Sequence, residues 1–512
     1  MSAVMETAPT VVRAEPGRPW RAVTDLALFE ARRLLTRIPV LFAFLVYVAW
    51  IVWRTPDSYD GYPALQDVDR ATQGGPVLVG FAVLLSVNHA VLRAKRRDTE
   101  RHFAVLVVQP WRRTAAHVLS VVPVAAVVAS CVALQFTWEA LKPGAVGRGS
   151  VGELLVGPLT VLLFGAAGVL LARLVASVAA APLLIVFSLF LFTFVFSASS
   201  SSSGTEEDGT RWLYPMTIEV GGNAVPSDLL GRPAAWHALY LLALALTVGL
   251  LAVLLGGGLR IRTVQGALVG MLAVTVLGAS AQMTGVPAAT IAARERASAT
   301  PQKEQTCVER DKSTYCAFPE WSPRAGTWAD TVKRVQSLTG GTAHDQKLLV
   351  RQRIEVRYGL GSDSTLDPSA TPHQVTVGTD WGGNRVPEFS VAVAGVLVTG
   401  DEKTATGDLC DGRMVTIMWL GLAGRPDPVG DLARVRLDDG TSGSSLVISP
   451  TEPLYMTGGQ TSVVRQLLDQ PRQTVAAKMT SHWAELTAPK VTTAQVARLL
   501  GVEAPKEADK CL

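Results

Sequence analysis

The stretch LLVGPLTVLLFGAAGVLLARLV (154–175) carries a single charge, Arg173, in 22 residues. A helix that crosses the hydrocarbon of a bilayer needs about 20 largely apolar residues. The run meets that requirement and lacks the polar face that a surface helix or half-buried strand would show. A second run, AAAPLLIVFSLFLFTFVFSA (179–198), follows through the brief Val175-Ala176-Ser177 connection, so the two read as a tight helical hairpin. Working outward, five more runs qualify or nearly qualify, at 38–53, 76–92, 115–138, 236–257 and 264–286. Seven apolar runs within about 250 residues are far more than the buried helices of a soluble core would supply. The chain is read as an α-helical polytopic membrane protein of about seven transmembrane helices.

The rest of the chain is organised around that block. Residues 1–33 are polar and have no short apolar core near Met1, so the first run is expected to serve as an uncleaved span. Residues 17–37, ending in LFEARRLLTR, read as an amphipathic helix lying in the membrane interface, with Glu30, Arg32, Arg33 and Arg37 on its polar side. This gives a cytoplasmic N-terminus over 1–37, a transmembrane domain over 38–286, a polar stalk over 287–305, and an α+β domain over 306–512. Within the last, RQRIEVRY (351–358), HQVTVG (373–378), FSVAVAGVLV (389–398) and RMVTIMWL (413–420) read as strands. TWADTVKRVQSL (327–338), VVRQLLDQ (463–470), VAAKMTSHWAEL (475–486) and TAQVARLL (493–500) read as helices.

Charge sets the expected orientation. Loops that stay in the cytoplasm carry excess Lys and Arg. Arg13, Arg18, Arg21, Arg32, Arg33 and Arg37 precede the first run. Arg93, Lys95, Arg96, Arg97, Arg101, Arg112 and Arg113 lie between the second and third. The opposite side holds Asp57, Asp60, Asp67, Asp69, Glu206, Glu207 and Asp208. An inside N-terminus and seven crossings place the C-terminal domain outside a cell membrane, with Arg294 and Arg296 as a mild objection. Four of the five cysteines, Cys307, Cys316, Cys410 and Cys511, fall in that domain, which points to disulfides in an oxidising compartment. Cys307 with Cys316 is the expected local pair, leaving Cys410 with Cys511; a zinc site is the rival reading. The net charge of +4 is too small to point to nucleic acid. In the outer loop at 199–235 a Ser run is expected to be flexible, and Trp212, Tyr214 and Trp236 suit a membrane interface.

Motifs for chemistry are sparse. Gly-Lys occurs nowhere, which excludes a Walker phosphate loop, and His-Glu occurs nowhere, which excludes an HExxH zinc helix. There is no Gly-x-Ser-x-Gly elbow. His344-Asp345 and His373 are read as surface groups. Ionisable residues inside the spans would mark an ion path, but Asn88, His89, Glu153 and Arg173 lie near span ends and are expected to reach an interface.

The loop RAKRRDTERHFAVLVVQPWRRTAAHVL (93–119) has a basic run, an acidic-polar step, an apolar stretch, a proline and a second basic pair. It resembles the first cytoplasmic loop of bacterial ABC-2 type transporter permeases, and LFEARRLLTRIP (28–39) is similar to the amphipathic connecting helix of that family. The likeness spans about residues 17–258 and rests on order and spacing. It implies a non-enzymatic permease subunit of an exporter that binds no cofactor of its own and works with a separate ATP-hydrolysing subunit and a second permease copy or paralogue. It further implies that Arg97, Asp98, Glu100, Pro110, Arg112 and Arg113 belong to the loop that couples to the ATPase. A seventh span and an outer domain depart from the six-span pattern. CVERDKSTYCAFPEWSP (307–323) resembles the opening of outer domains appended to some of these permeases. The alternative is a membrane-anchored receptor or sensor with an outer ligand-binding domain, and a further alternative is a membrane-bound enzyme with an outer active site.

Overall fold

The computed structural model describes residues 19–96, 109–201, 209–216, 224–360, 366–383, 385–406, 409–438 and 444–506. Arg97, Asp98, Glu100 and Cys511 lie outside the described residues.

The N-terminal part is a helical bundle: α1 (Pro19–Leu35), α2 (Ile38–Arg54), α3 (Leu65–Ala71), α4 (Gly74–Arg96), α5 (Pro110–Leu119), α6 (Val122–Ala140), α7 (Val151–Leu174), α8 (Ala180–Ser201), α9 (Ser227–Leu230), α10 (Ala234–Val253) and α11 (Arg262–Gln282). Each of the seven apolar runs is helical. Among the described residues, five helices are long and apolar enough to cross a membrane: Leu65–Arg93, Pro110–Ala140, Val151–Leu174, Ala234–Gly258 and Arg262–Gln282. The first run meets the same test only together with α1, from which it is bent by 61°. Pro39 accounts for the bend. It has no N–H to continue α1 and suits the first turn of a new helix. The fifth run qualifies as a shorter apolar helix, Ala180–Leu191, and its helix continues into the Ser run as far as Ser201.

The central helix is α7, which packs on α4 and α10 and buries Val161 and Val169. Around it, α2, α8 and α11 turn bulky apolar groups outward: Phe42, Phe190 and Val269 are each about two-thirds exposed. A helix apolar on all sides suits lipid or another helix rather than water.

The C-terminal part is α+β. It contains α12 (Ala288–Ala299), β1 (Thr306–Arg310), β2 (Ser313–Ala317), α13 (Ala325–Gln336), β3 (Leu349–Gln352), β4 (Gln374–Val377), α14 (Arg385–Thr399), α15 (Glu402–Ala405), α16 (Arg413–Leu422) and α17 (Pro428–Val435). It continues through β5 (Arg436–Asp438), β6 (Ser444–Val447), β7 (Leu454–Thr457), α18 (Gly458–Leu468), α19 (Arg472–Ser481), α20 (Trp483–Leu486) and α21 (Thr493–Leu500). One sheet has the order β1-β2-β3-β4, antiparallel at its first pair and parallel after it; β5-β6-β7 form an antiparallel second sheet. Cys307 and Cys316 face each other across β1 and β2 and form a disulfide. Cys410 is also disulfide-bonded. Three of the four expected helices form as single helices, two of them opened by reciprocal caps at Thr457/Gln460 and Thr492/Gln495, while 475–486 is divided at His482 between α19 and α20.

Two strand expectations are overturned. FSVAVAGVLV lies in α14 and RMVTIMWL in α16. Both segments are buried on every side, so their sequences show neither a helical stripe nor an alternation. RQRIEVRY is a strand only up to Gln352.

The polar segment 287–305 is helical over α12 and packs into the C-terminal core through Ala297. That core also takes in Ala64, Val146, Val225, Leu229 and Leu230 from the bundle's loops, so bundle and domain share one apolar interior. Buried Arg294 donates to the carbonyls of Leu229 (2.7 Å) and Leu230 (2.9 Å), closing the orphan end of α9. Its charge therefore serves packing and is no sign of membrane orientation. Glu320 accepts from the backbone N–H of Ser227 at 3.0 Å. Arg324 donates to the carbonyl of Tyr62 at 2.9 Å, and its guanidinium lies 5.0 Å from that ring's centre. Burial lowers the pKa of Arg324 to about 10.

Candidate functional site

Two places at opposite ends of the bundle gather polar side chains. The first surrounds the resemblance-bearing loop. Three residues of α1 and α5, Val23, Ala27 and Ala116, form a small apolar core of their own. Trp20 meets Trp111 edge-on at 6.0 Å, and Arg112 lies 5.3 Å over the Trp111 ring. Glu30 on α1 pairs with Arg93 near the end of α4 at 3.1 Å. Arg37 does not sit on the basic face of the interfacial helix as the sequence suggested. It lies beyond the end of α1, half-buried, and donates to the carbonyl of Ser86 at 2.7 Å. Arg32 and Arg33 are exposed, Arg33 beside the Phe29 ring at 5.2 Å. Arg37, His89, Arg93 and Arg96 line an opening of about 440 Å³. Pro110 starts α5, and Arg112 and Arg113 occupy its first turn, so the structure brings both flanks of the loop against α1. Arg173 donates to the Thr114 hydroxyl at 2.8 Å, tying α7 to α5.

The second place lies where the bundle meets the C-terminal domain, and sequence reading missed it. Asp69 is buried, accepts from the backbone N–H of Ser150 at 2.7 Å, and stands 3.7 Å from Arg232. Glu153 is buried too, against the expectation that it reaches an interface; it accepts from Gln73 at 2.5 Å. Asn88, at the other end of α4 beside the first place, is fully buried as well, on the carbonyl of Gly168. His237 is buried and shares a hydrogen bond with Gln282 at 3.0 Å. Trp212, expected at a membrane interface, packs edge-on against His237 and is 4% exposed. Glu139 pairs with Lys142 at 2.9 Å, and Lys142 donates to the carbonyl of Thr55. Apart from Glu139–Lys142 and Trp212–His237, these partners stand from 45 (His237–Gln282) to 163 (Asp69–Arg232) residues apart, so no local motif announces them. The only available signal was the placing of Gln and His at the ends of apolar runs.

Elsewhere in the domain, Asp345 pairs with exposed Lys312 at 2.9 Å and His373 bonds Gln346, without a nucleophile–base arrangement among the described residues. Among the described residues no three His, Cys, Asp or Glu side chains converge as metal ligands.

What these elements define is a mostly helical chain with several helices of membrane-spanning length and a docked α+β domain. No protein-family model matches it, and no curated protein or solved structure is significantly similar to it.

Proposed function

We propose that the chain is the membrane subunit of an ATP-driven exporter of the ABC-2 type, whose ATPase is a separate polypeptide. The observation that carries this reading is the junction of α1, the end of α4 and the start of α5. There the Glu30–Arg93 pair and the Trp20–Trp111 contact hold both flanks of segment 97–108 against helix α1. A push on that loop would reach α4, α5 and, through Arg173, the central helix α7 as a rigid-body displacement. Counting α2 and α8 as spans gives seven crossings in the plasma membrane, with the loop inside and the disulfide-bearing domain outside. The outward apolar faces of α2, α8 and α11 suit both lipid and a second permease copy.

The test is co-purification. The tagged chain is co-expressed with the nucleotide-binding subunit encoded beside it and solubilised in detergent. Co-elution is expected, and the double reversal Arg112→Glu with Arg113→Glu is expected to weaken it. A folded, inserted chain that retains no ATPase would overturn the reading.

One observation favours a receptor instead. The C-terminal domain is seated on the bundle's loops through Arg294, Glu320 and Arg324, which suits transmission of a ligand signal. That reading calls for ligand binding by the outer domain and no ATPase.

A further inference from the structure

Three arginines and a histidine gather at the end of the bundle away from the C-terminal domain. His89, Arg93 and Arg96 follow one another at steps of four and three residues, which places them on one face of the last turns of α4. Arg37, at the break between α1 and α2, joins them, and the four line an open recess of about 440 Å³. Arg37 is fixed by α4 itself, since its Nη1 donates to the carbonyl of Ser86 at 2.7 Å. Arg93 commits only Nη2, to Glu30. The other guanidinium nitrogens of Arg37 and Arg93 have no partner among the described residues, and none of them is sealed from solvent. Arg96 is exposed and forms no ion pair among the described residues. His89 donates through Nδ1 to the carbonyl of Leu85 at 3.1 Å.

Among the described residues Glu30 is the one carboxylate in contact with this cluster, so three guanidiniums meet a single negative charge. Like charges gathered in this way attract an anion from solution. A guanidinium presents paired N–H groups that match two oxygens of a phosphate. The surroundings suit a phosphate that carries acyl chains. Directly after Arg37, α2 exposes Ile38, Leu41 and Phe42, apolar groups along which such chains can lie. Basic recesses among helices at a membrane surface hold acidic headgroups by this chemistry.

We propose that this recess binds a phosphate group, with Arg37 and Arg93 as its fixed donors and Arg96 contributing from the exposed side. The phosphate is that of an acidic phospholipid lying along α2 or that of a soluble phosphate ester. The assignment does not rest on the ATPase reading and can fail or hold independently of it.

The test uses the full chain in neutral detergent, titrated with dioctanoyl phosphatidylglycerol and, for comparison, with dioctanoylglycerol, which lacks the phosphate; thermophoresis reads both. The phosphatidylglycerol is expected to bind at least about tenfold more tightly. Arg37→Gln and Arg96→Gln are each expected to weaken it about fivefold while leaving dioctanoylglycerol unchanged. Arg96 is exposed, so its variant carries the test if Arg37→Gln does not fold. The double change Arg260→Gln with Arg262→Gln, at exposed positions by the start of α11, is expected to leave binding as it is. Competition with glycerol phosphate separates the sources: displacement of the lipid at concentrations near the lipid's own Kd assigns the site to a soluble ester, and no displacement assigns it to the lipid headgroup. Equal affinity for the two glycerolipids would overturn the proposal. So would folded Arg37→Gln and Arg96→Gln chains that bind as the native chain does, or an equal loss in the Arg260 and Arg262 double variant, which would mean diffuse charge attraction only.

Discussion

Glu30 and Arg93 meet at 3.1 Å across 63 residues of sequence, joining helix α1 to the last turns of α4. The pair is largely shielded from water, so salt screens it less than a surface pair. It anchors the chain before segment 97–108, while the packing of Ala116 on Val23 and Ala27 anchors it after.

If that junction transmits force, the pair's charges matter by sign and not by identity. Glu30→Arg sets two like charges face to face and is expected to cut ATPase co-purification several-fold. Adding Arg93→Glu restores an opposite-charge pair and is expected to recover most of the loss. Quantified co-elution of the four combinations checks this; a double mutant no better than the single would show that the pair acts only as packing.

The seating of the C-terminal domain turns on a second close approach. Gly382 and Gly383 have φ of +110° and +49°, a region that L side chains rarely occupy. A Cβ on Gly382 would stand 2.7 Å from the carbonyl oxygen of Tyr59, and one on Gly383 would meet the Asp60 carboxylate. Tyr59 and Asp60 themselves have positive φ, at 54° and 48°. Such backbone persists only where its surroundings hold it, at about 1–3 kcal/mol each. Gly382→Ala is expected to destabilise the seam by a similar amount. Hydrogen exchange should rise at 58–64 and 379–383 and stay unchanged in α18 and α21.

Acidity acts on the same domain through Glu388. The burial of this carboxyl outweighs its 2.9 Å pairing with Arg385 and raises its pKa from 4.5 to about 7. Buried Glu402 is raised as well, for the same reason. The folded chain therefore holds more protons than the unfolded chain between about pH 4.5 and 7. This contribution to stability is complete below 4.5 and is lost as pH rises through 7, on the order of 3 kcal/mol for Glu388. Thermal unfolding from pH 5 to 8 should show a declining midpoint in the native chain and a flatter profile in Glu388→Gln.

How much of this could be read from sequence follows from what each signal depends on. The seven apolar helices were legible because a run such as 154–175 leaves no polar face, whatever it packs against. The helices read at 463–470 and 493–500 were legible because their apolar spacing is local; the first begins earlier than read, at Gly458, where Thr457 and Gln460 cap it. FSVAVAGVLV was misread because valine-rich segments favour strands in the absence of context, and total burial within α14 erases the periodicity that would separate the two. The buried polar cluster was invisible because Asp69, Glu153 and His237 come together only when α3, α7 and α10 are assembled. Arg294 misled because charge in sequence carries no sign of whether it faces water or a helix end.

The disulfide offers the sharpest separation of local from global stability. Cys307 and Cys316 lie opposite each other in a hairpin whose turn holds Asp311 and Lys312, both at positive φ. Every residue of β1 is exposed, whereas β2 places Tyr315, Cys316 and Ala317 in the core. The domain's interior therefore owes little to β1. A cross-link closing so short a loop contributes about 2–3 kcal/mol through the unfolded chain's entropy, and here that contribution falls mainly on the hairpin. Replacing both cysteines with serine is expected to leave the main thermal transition within a few degrees of the native value. The same change should free β1 to fray, raising trypsin cleavage at Arg310 and Lys312 by about tenfold or more, since such cleavage follows the population of the open form. If the main transition instead fell in step with the cleavage rate, β1 would be part of the domain's cooperative unit, and the disulfide would hold the whole domain and not merely its edge.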